Sequence, residues 1–431
     1  MSSNRRAFLK QTAAVTAVLS ASTNVMAALP DRMPIAIVGC GGMGTNHLRL
    51  LSNRKDIEIR YVCDADSNRL TAAAKIASDG GHAVKAVNDL RRVLDDKTIA
   101  AVWHATPDHW HTPGAILTAD AGKHVYVEKP CSHNVREGRL LVEAGSRNKV
   151  VIQVGTQARS TPTVSEAMKR LHDGAIGDIL VAKAWNSQLR RNLGKVKASP
   201  PPAHLDYAMW QGPVPEAPHF SNRVPGMWRF FFDYGAGDMG NDGVHNIDVA
   251  SWGLNLDVLP NRVAGLGGKY FFDDDQQWPD TQYVVAEFES ASGKKRQLIY
   301  EQRIWSPYLQ EEYENGNAFY GTKGMLIIGH TVGWKLYGQK NKLIEEMKGS
   351  IDLVAHHTNF LNAIRGKNAP NAPALVGHIA AGICHLANIT TRTGRAIRFD
   401  PQTETIIGDD EANAMTKRRY REGHWSVPKG V

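Results

Sequence analysis

Residues 39–44 read Gly39-Cys40-Gly41-Gly42-Met43-Gly44, directly after the apolar run Ile35-Ala36-Ile37-Val38 and directly before a helix-forming stretch. A GxGxxG hexapeptide between a strand and a helix predicts a Rossmann unit that binds a nicotinamide dinucleotide. Gly39 permits the tight turn, Gly41 lets the backbone approach a pyrophosphate, and Gly44 lets helix and strand pack closely. The helix start, at Gly42 and Met43, offers free N–H groups and a partial positive charge to the phosphates. Asp64 ends the next strand, twenty residues after Gly44. A carboxylate there accepts bonds from the ribose hydroxyls and repels a 2′-phosphate, so NAD is the expected cofactor. Arg69 nearby keeps NADP open.

The pattern around this turn is α/β. Strands are predicted over 34–39, 57–64, 99–106, 124–130 and 150–155, and helices over 43–53, 67–77, 88–95, 112–121 and 135–147. Near-continuous apolar strands alternating with helices mean a parallel sheet covered on both faces, here a Rossmann domain over 33–155. After residue 156 the character changes to an α+β domain over 156–431. Its strands, 178–186, 262–271, 281–288, 295–304 and 325–329, alternate in polarity and predict a large, mainly antiparallel open sheet. Helices are predicted over 162–172, 239–254, 353–365 and 374–391. A Pro-, Trp- and Asn-rich loop over 195–234 is too long for a plain connection and is read as functional.

The chain has 431 residues, 42% hydrophobic and 22% charged, with a formal net charge of +8. Arg5, Arg6 and Lys10 hold part of that charge, and Lys417, Arg418, Arg419 and Arg421 form a second run read as a solvated face. No basic stripe is interleaved with aromatics, so nucleic acid is not an expected partner. The first residues, Asn4-Arg5-Arg6-Ala7-Phe8-Leu9-Lys10, form a twin-arginine pattern followed by a weakly apolar run and small residues up to Ala27. This order of zones predicts a leader over 1–27, carriage by the twin-arginine machinery and a periplasmic destination. The apolar run is shorter than the roughly 20 residues a membrane span needs. Cys40, Cys63, Cys131 and Cys384 show no metal spacing. Twin-arginine export carries folded proteins, which suits a chain that must load its cofactor before leaving.

Two segments beyond the carboxyl ends of parallel strands carry the chemistry: Ala105-Thr106-Pro107-Asp108-His109-Trp110-His111 and Glu128-Lys129-Pro130. With Gly174-Ala175-Ile176-Gly177-Asp178, Asp242-Gly243-Val244-His245 and Gly321-Thr322-Lys323-Gly324, they make the chain resemble the Gfo/Idh/MocA family of glucose–fructose oxidoreductases and inositol dehydrogenases. The resemblance covers essentially all of the chain after the leader. It implies an NAD(P)-dependent oxidoreductase of sugars, sugar derivatives or cyclitols, with Lys129 the active-site lysine and His245 the catalytic histidine. Those roles suit alcohol oxidation. Imidazole can take the hydroxyl proton, and a buried ammonium can stabilise the developing alkoxide.

Asn241, His245, Asp248 and Trp252 fall on one face of the 239–254 helix, with Asp242 about 100° away. Many relatives carry Asp where this chain has Asn241, which leaves the imidazole less basic here. Thr106, Pro107, His109, His111, Glu128, Lys129 and Gln157 are expected near the cofactor. Lys129, Arg190, Arg229, Tyr234, Asn241, Asp242 and His245 are expected around a sugar, with Trp228 shared between pocket and core. His109 and His111 lack a third ligand at a recognisable spacing, so no metal is expected. Two other classes stay open: redox-neutral, NAD-dependent glycoside cleavage, and a non-catalytic dinucleotide-dependent binding protein. A bound, recycled cofactor and a homo-oligomer built through the open sheet are also expected.

Overall fold

The computed structural model describes residues 31–289, 293–330 and 333–431, so the expected leader lies outside the described residues. The first sheet has six parallel strands: β1 (Met33–Val38), β2 (Ile57–Cys63), β3 (Lys85–Val87), β4 (Ala101–His104), β5 (His124–Val127) and β6 (Ile152–Val154). Their order is β3-β2-β1-β4-β5-β6. Every residue of β1 is buried, as expected for a strand with helices on both faces. The order reverses between β1 and β4, and a crevice opens at their carboxyl ends. β3 was not expected: it is three residues long and mostly exposed at the sheet edge.

The second sheet has ten strands: β7 (Ile179–Asn186), β8 (Arg262–Gly268), β9 (Thr281–Glu289), β10 (Lys295–Arg303), β11 (Asn315–Gly321), β12 (Met325–Gly329), β13 (Gly333–Tyr337), β14 (Leu343–Lys348), β15 (Ile397–Asp400) and β16 (Thr405–Ile406). They run in the order β14-β13-β12-β11-β7-β10-β9-β8-β15-β16. All pairs are antiparallel except β7 with β10. Helices Pro162–His172, Val244–Gly253 and Ala374–Thr393 cover one face and share its core.

The split at residue 156 describes the sequence better than the packing. Helix Leu353–Ile364 turns back and buries Phe360, Leu361 and Ile364 among Met33, Ile35, Trp103 and Tyr126 of the Rossmann unit. The tail returns too. Arg418 forms a 2.7 Å ion pair with buried Glu137, and Arg421 N–H donates to the Pro213 carbonyl at 2.8 Å. The basic run near the end is therefore not the simple solvated face expected. The 195–234 segment has its own core of Leu205, Trp210, Val214, Val224, Phe230 and Phe231, and a short helix, Tyr207–Gln211. It lies against the Rossmann unit through Ser67 N–H to His204 O and Asp206 N–H to Ala65 O, both 2.9 Å.

Candidate active site

At the turn after β1, Gly39 has φ +86°, and a Cβ there would lie 2.5 Å from the Ala105 carbonyl oxygen. A Cβ on Gly44 would lie 1.8 Å from the Gly39 carbonyl oxygen, so only hydrogen fits where helix Gly42–Ser52 meets the turn. A Cβ on Gly42 would meet nothing within 4 Å, because this glycine opens onto the crevice. Asp64 accepts the Cys40 N–H at 2.6 Å and the Asp66 N–H at 2.8 Å, and burial pushes its carboxyl up. Arg69 borders the same end of the cavity, 3.8 Å from Asp66.

The crevice is a cavity of about 470 Å³ that reaches from Gly39, Asp64 and Arg69 past Thr106 and His111 to Lys129 and His245. Within it, Thr106 Oγ1 and Gln157 Oε1 are buried with no partner. An open helix N-terminus, a ribose-binding carboxylate and two unused oxygens along one channel fit an extended dinucleotide. Gly41, Gly42 and Met43 would hold its pyrophosphate, Asp64 its adenosine ribose, and Thr106 and Gln157 its nicotinamide half.

At the far end the Lys129 ammonium donates to Asn241, to the backbone oxygen at 2.9 Å and to Oδ1 at 3.4 Å. The Lys129–Pro130 peptide is cis. Behind it, Glu128 accepts the Lys129 N–H at 3.1 Å and contacts His47 Nε2 at 2.9 Å, while His47 Nδ1 meets His357 Nε2 at 2.8 Å. Burial alone would raise the Glu128 carboxyl, but His47, Lys129 and His245 outweigh it and hold the group at about 2. His47 belongs to the helix of the glycine turn, so the nucleotide-binding helix also braces the lysine loop.

His245 stands on the second unit's helix after an unexpected wide turn. Met239–Gly243 forms a π-turn before the α-helix Val244–Gly253. Asn241 and Asp242 in that turn and His245 just after it all line the cavity. Burial, reinforced by Lys129 and His330, pushes the His245 imidazole well below its usual range. It is neutral at pH 7, with a buried Nδ1 that has no partner. Asp242 is paired to Arg190, which also bonds buried Asp238 at 3.0 Å.

Residues 33–156 match the oxidoreductase family with the NAD-binding Rossmann fold, and residues 183–304 and 308–427 match the C-terminal alpha/beta domain of the same family. The chain belongs to the Gfo/Idh/MocA oxidoreductase family. Inositol 2-dehydrogenase 2 of Saccharopolyspora erythraea is 29% identical over 265 residues, 60% of this chain and 64% of that protein. Levoglucosan dehydrogenase of Pseudarthrobacter phenanthrenivorans is 40% identical over 93 residues, 22% of this chain and 24% of that protein. The chain thus spans less than two-thirds of the length of these curated relatives. The WlbA dehydrogenase of Bordetella pertussis, solved with NADH and UDP-GlcNAcA, shares the fold with a TM-score of 0.64 at 20% identity, covering 86% of this chain and 99% of that one.

In this Gfo/Idh/MocA chain most of the expected site residues meet in the one cavity. Gly39, Gly41, Gly42, Met43, Asp64, Thr106, Pro107, His111, Glu128, Lys129, Gln157, Arg229, Asn241, Asp242 and His245 all border it. Four do not. Gly44 serves the packing of helix on turn. Arg190 acts behind Asp242 rather than on a substrate. His109 and Tyr234 are core residues: His109 Nε2 bonds the Trp210 carbonyl oxygen at 2.9 Å, and its ring packs on Tyr234. The reason is a helix that begins at Asp108, four residues earlier than expected. Two residues apart on a helix is about 200°, so His109 and His111 point opposite ways. His111 takes the cavity side and contacts the oxygens of Pro130 and Thr106 at 2.6 and 2.7 Å.

Sequence reasoning also missed Asp108, Met209 and Trp210, which line the cavity, and His330, whose ring lies 5.2 Å from that of His245. Asp108 is the first residue of its helix, accepts the Ala236 N–H at 3.2 Å, and is pushed up to about 7 by burial. An earlier helix start would have revealed it. Nothing local marks Met209 or His330 as site residues.

Proposed function

We propose that this chain oxidises a secondary alcohol of a sugar, sugar derivative or cyclitol, or reduces the matching carbonyl, with NAD as cofactor. One observation carries the reading: Lys129 is fixed on Asn241, one turn before neutral His245, in the same cavity as the glycine turn and Asp64. A nicotinamide bound there would supply reversible hydride acceptance. His245 takes the hydroxyl proton, and the Lys129 ammonium stabilises the negative charge that grows on oxygen. Relatives named for inositol and levoglucosan support polyhydroxylated substrates.

Retention of the cofactor and export belong to the same proposal. The 195–234 segment bonded across Ala65 and Ser67, with the tail locked onto it at Pro213, covers the adenosine side and favours a dinucleotide that stays. The zones of residues 1–27 support loading in the cytosol, carriage by the twin-arginine machinery and work in the periplasm. Leu266, Tyr283 and Val285 lie exposed on the open face of the second sheet, which supports a homo-oligomer through that face.

Native mass spectrometry of gently released protein tests the reading. One dinucleotide per chain, reduced in place by a responding sugar, is the expected result. Protein that carries and takes up no dinucleotide would contradict it. Cleavage of aryl glycosides, lost on cofactor removal, would replace oxidation with the redox-neutral reaction.

A further inference from the structure

We propose that the sugar taken by this site carries a carboxylate, and that Arg229 receives it. The inference rests on the oxidoreductase reading above and narrows its substrate class.

The cations bordering the cavity are committed with one exception. Lys129 is held by Asn241, and Arg69 stands 3.8 Å from Asp66 at the nucleotide end. Just behind the wall, Arg190 is bound by Asp238 and Asp242. Arg229 has no hydrogen bond or ion pair among the described residues, and its Nε is buried without a partner. Its guanidinium lies over the Trp228 ring, 5.2 Å from the centroid. Arg159 and Arg418 are matched, to Asp248 at 2.9 Å and to Glu137 at 2.7 Å. Arg223 also has an unpartnered Nε, but it is packed on Phe220 and Phe231 and does not border the cavity, so Arg229 is the unmatched guanidinium that a ligand can reach. A guanidinium whose Nε is buried and unmatched is costly to hold, and its planar fork fits a carboxylate with two parallel hydrogen bonds.

The position of Arg229 separates it from the dinucleotide phosphates. Its turn, Trp228–Phe230, is folded back so tightly that a Cβ on Gly235 would lie 2.5 Å from the Arg229 Cα. The next residue, Ala236, donates its N–H to Asp108 at the start of helix Asp108–Asp120. Arg229 is thus pinned near Asp108, and both Lys129 and Arg229 act on that carboxyl. The pyrophosphate has the helix start at Gly42, with Arg69 beside it, and needs no second arginine. A single free cation matches a single negative charge, which favours a carboxylate over a phosphate monoester. The Trp228 face beside it suits the apolar face of a sugar ring.

Calorimetric titration of the holoprotein with matched pairs tests this: glucuronate against glucose, galacturonate against galactose, and glucose 6-phosphate as a third arm. At least one acid should bind roughly tenfold or more tightly than its neutral partner, the size expected of one charge-assisted pair. Arg229→Gln should erase that preference, and Arg229→Lys should restore part of it, with the dinucleotide content by mass unchanged. Equal binding of every acid and its neutral partner would overturn the proposal. So would tighter binding of glucose 6-phosphate than of either uronate, or an Arg229→Gln protein that loses its dinucleotide yet keeps the acid preference. Failure of the oxidoreductase reading would show differently, as a protein that neither carries nor takes up a dinucleotide, whatever its preference among the acids.

Discussion

Asp108 and Glu128 border one cavity, yet their environments drive them apart: Asp108 rises to about 7 and Glu128 falls to about 2. For Asp108 the folded chain keeps a proton that the unfolded chain has released, so its contribution is lost as pH rises from about 4 towards 7. Asp108→Asn should flatten that part of the melting temperature against pH, and an unchanged slope would show the carboxyl already ionised. His47→Leu would leave Glu128 buried without its imidazole and should cost about 3–5 kcal/mol, read by denaturant unfolding. Asp64 was legible from its fixed step after the glycine turn, and Lys129 and His245 from the family resemblance carried by Glu128-Lys129-Pro130 and Asp242-Gly243-Val244-His245. Asp108, His330 and Asp238 were not. The first depended on where a helix begins, and the others act through side chains far apart in the chain.

Among elements, the glycine turn couples two tasks. It opens at Gly42 for a ligand, and at Gly44 it closes to a contact that admits no Cβ. Gly44→Ala should therefore force the helix off the turn, destabilising the protein by about 1–3 kcal/mol. Dinucleotide affinity should fall with it, as a fluorescence titration with NADH would show. The long apolar strands were readable from their runs of Val and Ile. β3, β11 and β14 were not, because the first is short and exposed, the second is rich in Asn and Gly, and the third is a largely exposed edge. Nor does periodicity near 3.6 reveal the π-turn at Met239–Gly243.

At the scale of the molecule, helix Leu353–Ile364 and the tail tie the second half of the chain to the first. An apolar periodicity says that a helix face is buried, and not which domain buries it, so this return could not be read in advance. The same burial makes the protein acid-sensitive. His104, His109 and His385 are pushed down to about 3, and His124 and His356 to about 4, each chiefly by burial. The unfolded chain protonates these histidines below about 6.5 while the folded chain does not, so stability falls as pH drops from there. Five histidines outweigh the opposite slope of Asp108. Denaturant midpoints should be lower at pH 5 than at pH 7, and equal midpoints would contradict the burial argument.

The central claim is that Lys129 and His245 act on an alcohol beside a bound nicotinamide. The direct measurement is the absorbance of reduced nicotinamide after the holoprotein is mixed with a sugar panel, in the parent and in Lys129→Ala. The parent should give a signal that slows by roughly a hundredfold or more in the variant while the dinucleotide stays bound. An equally fast signal in Lys129→Ala would contradict it.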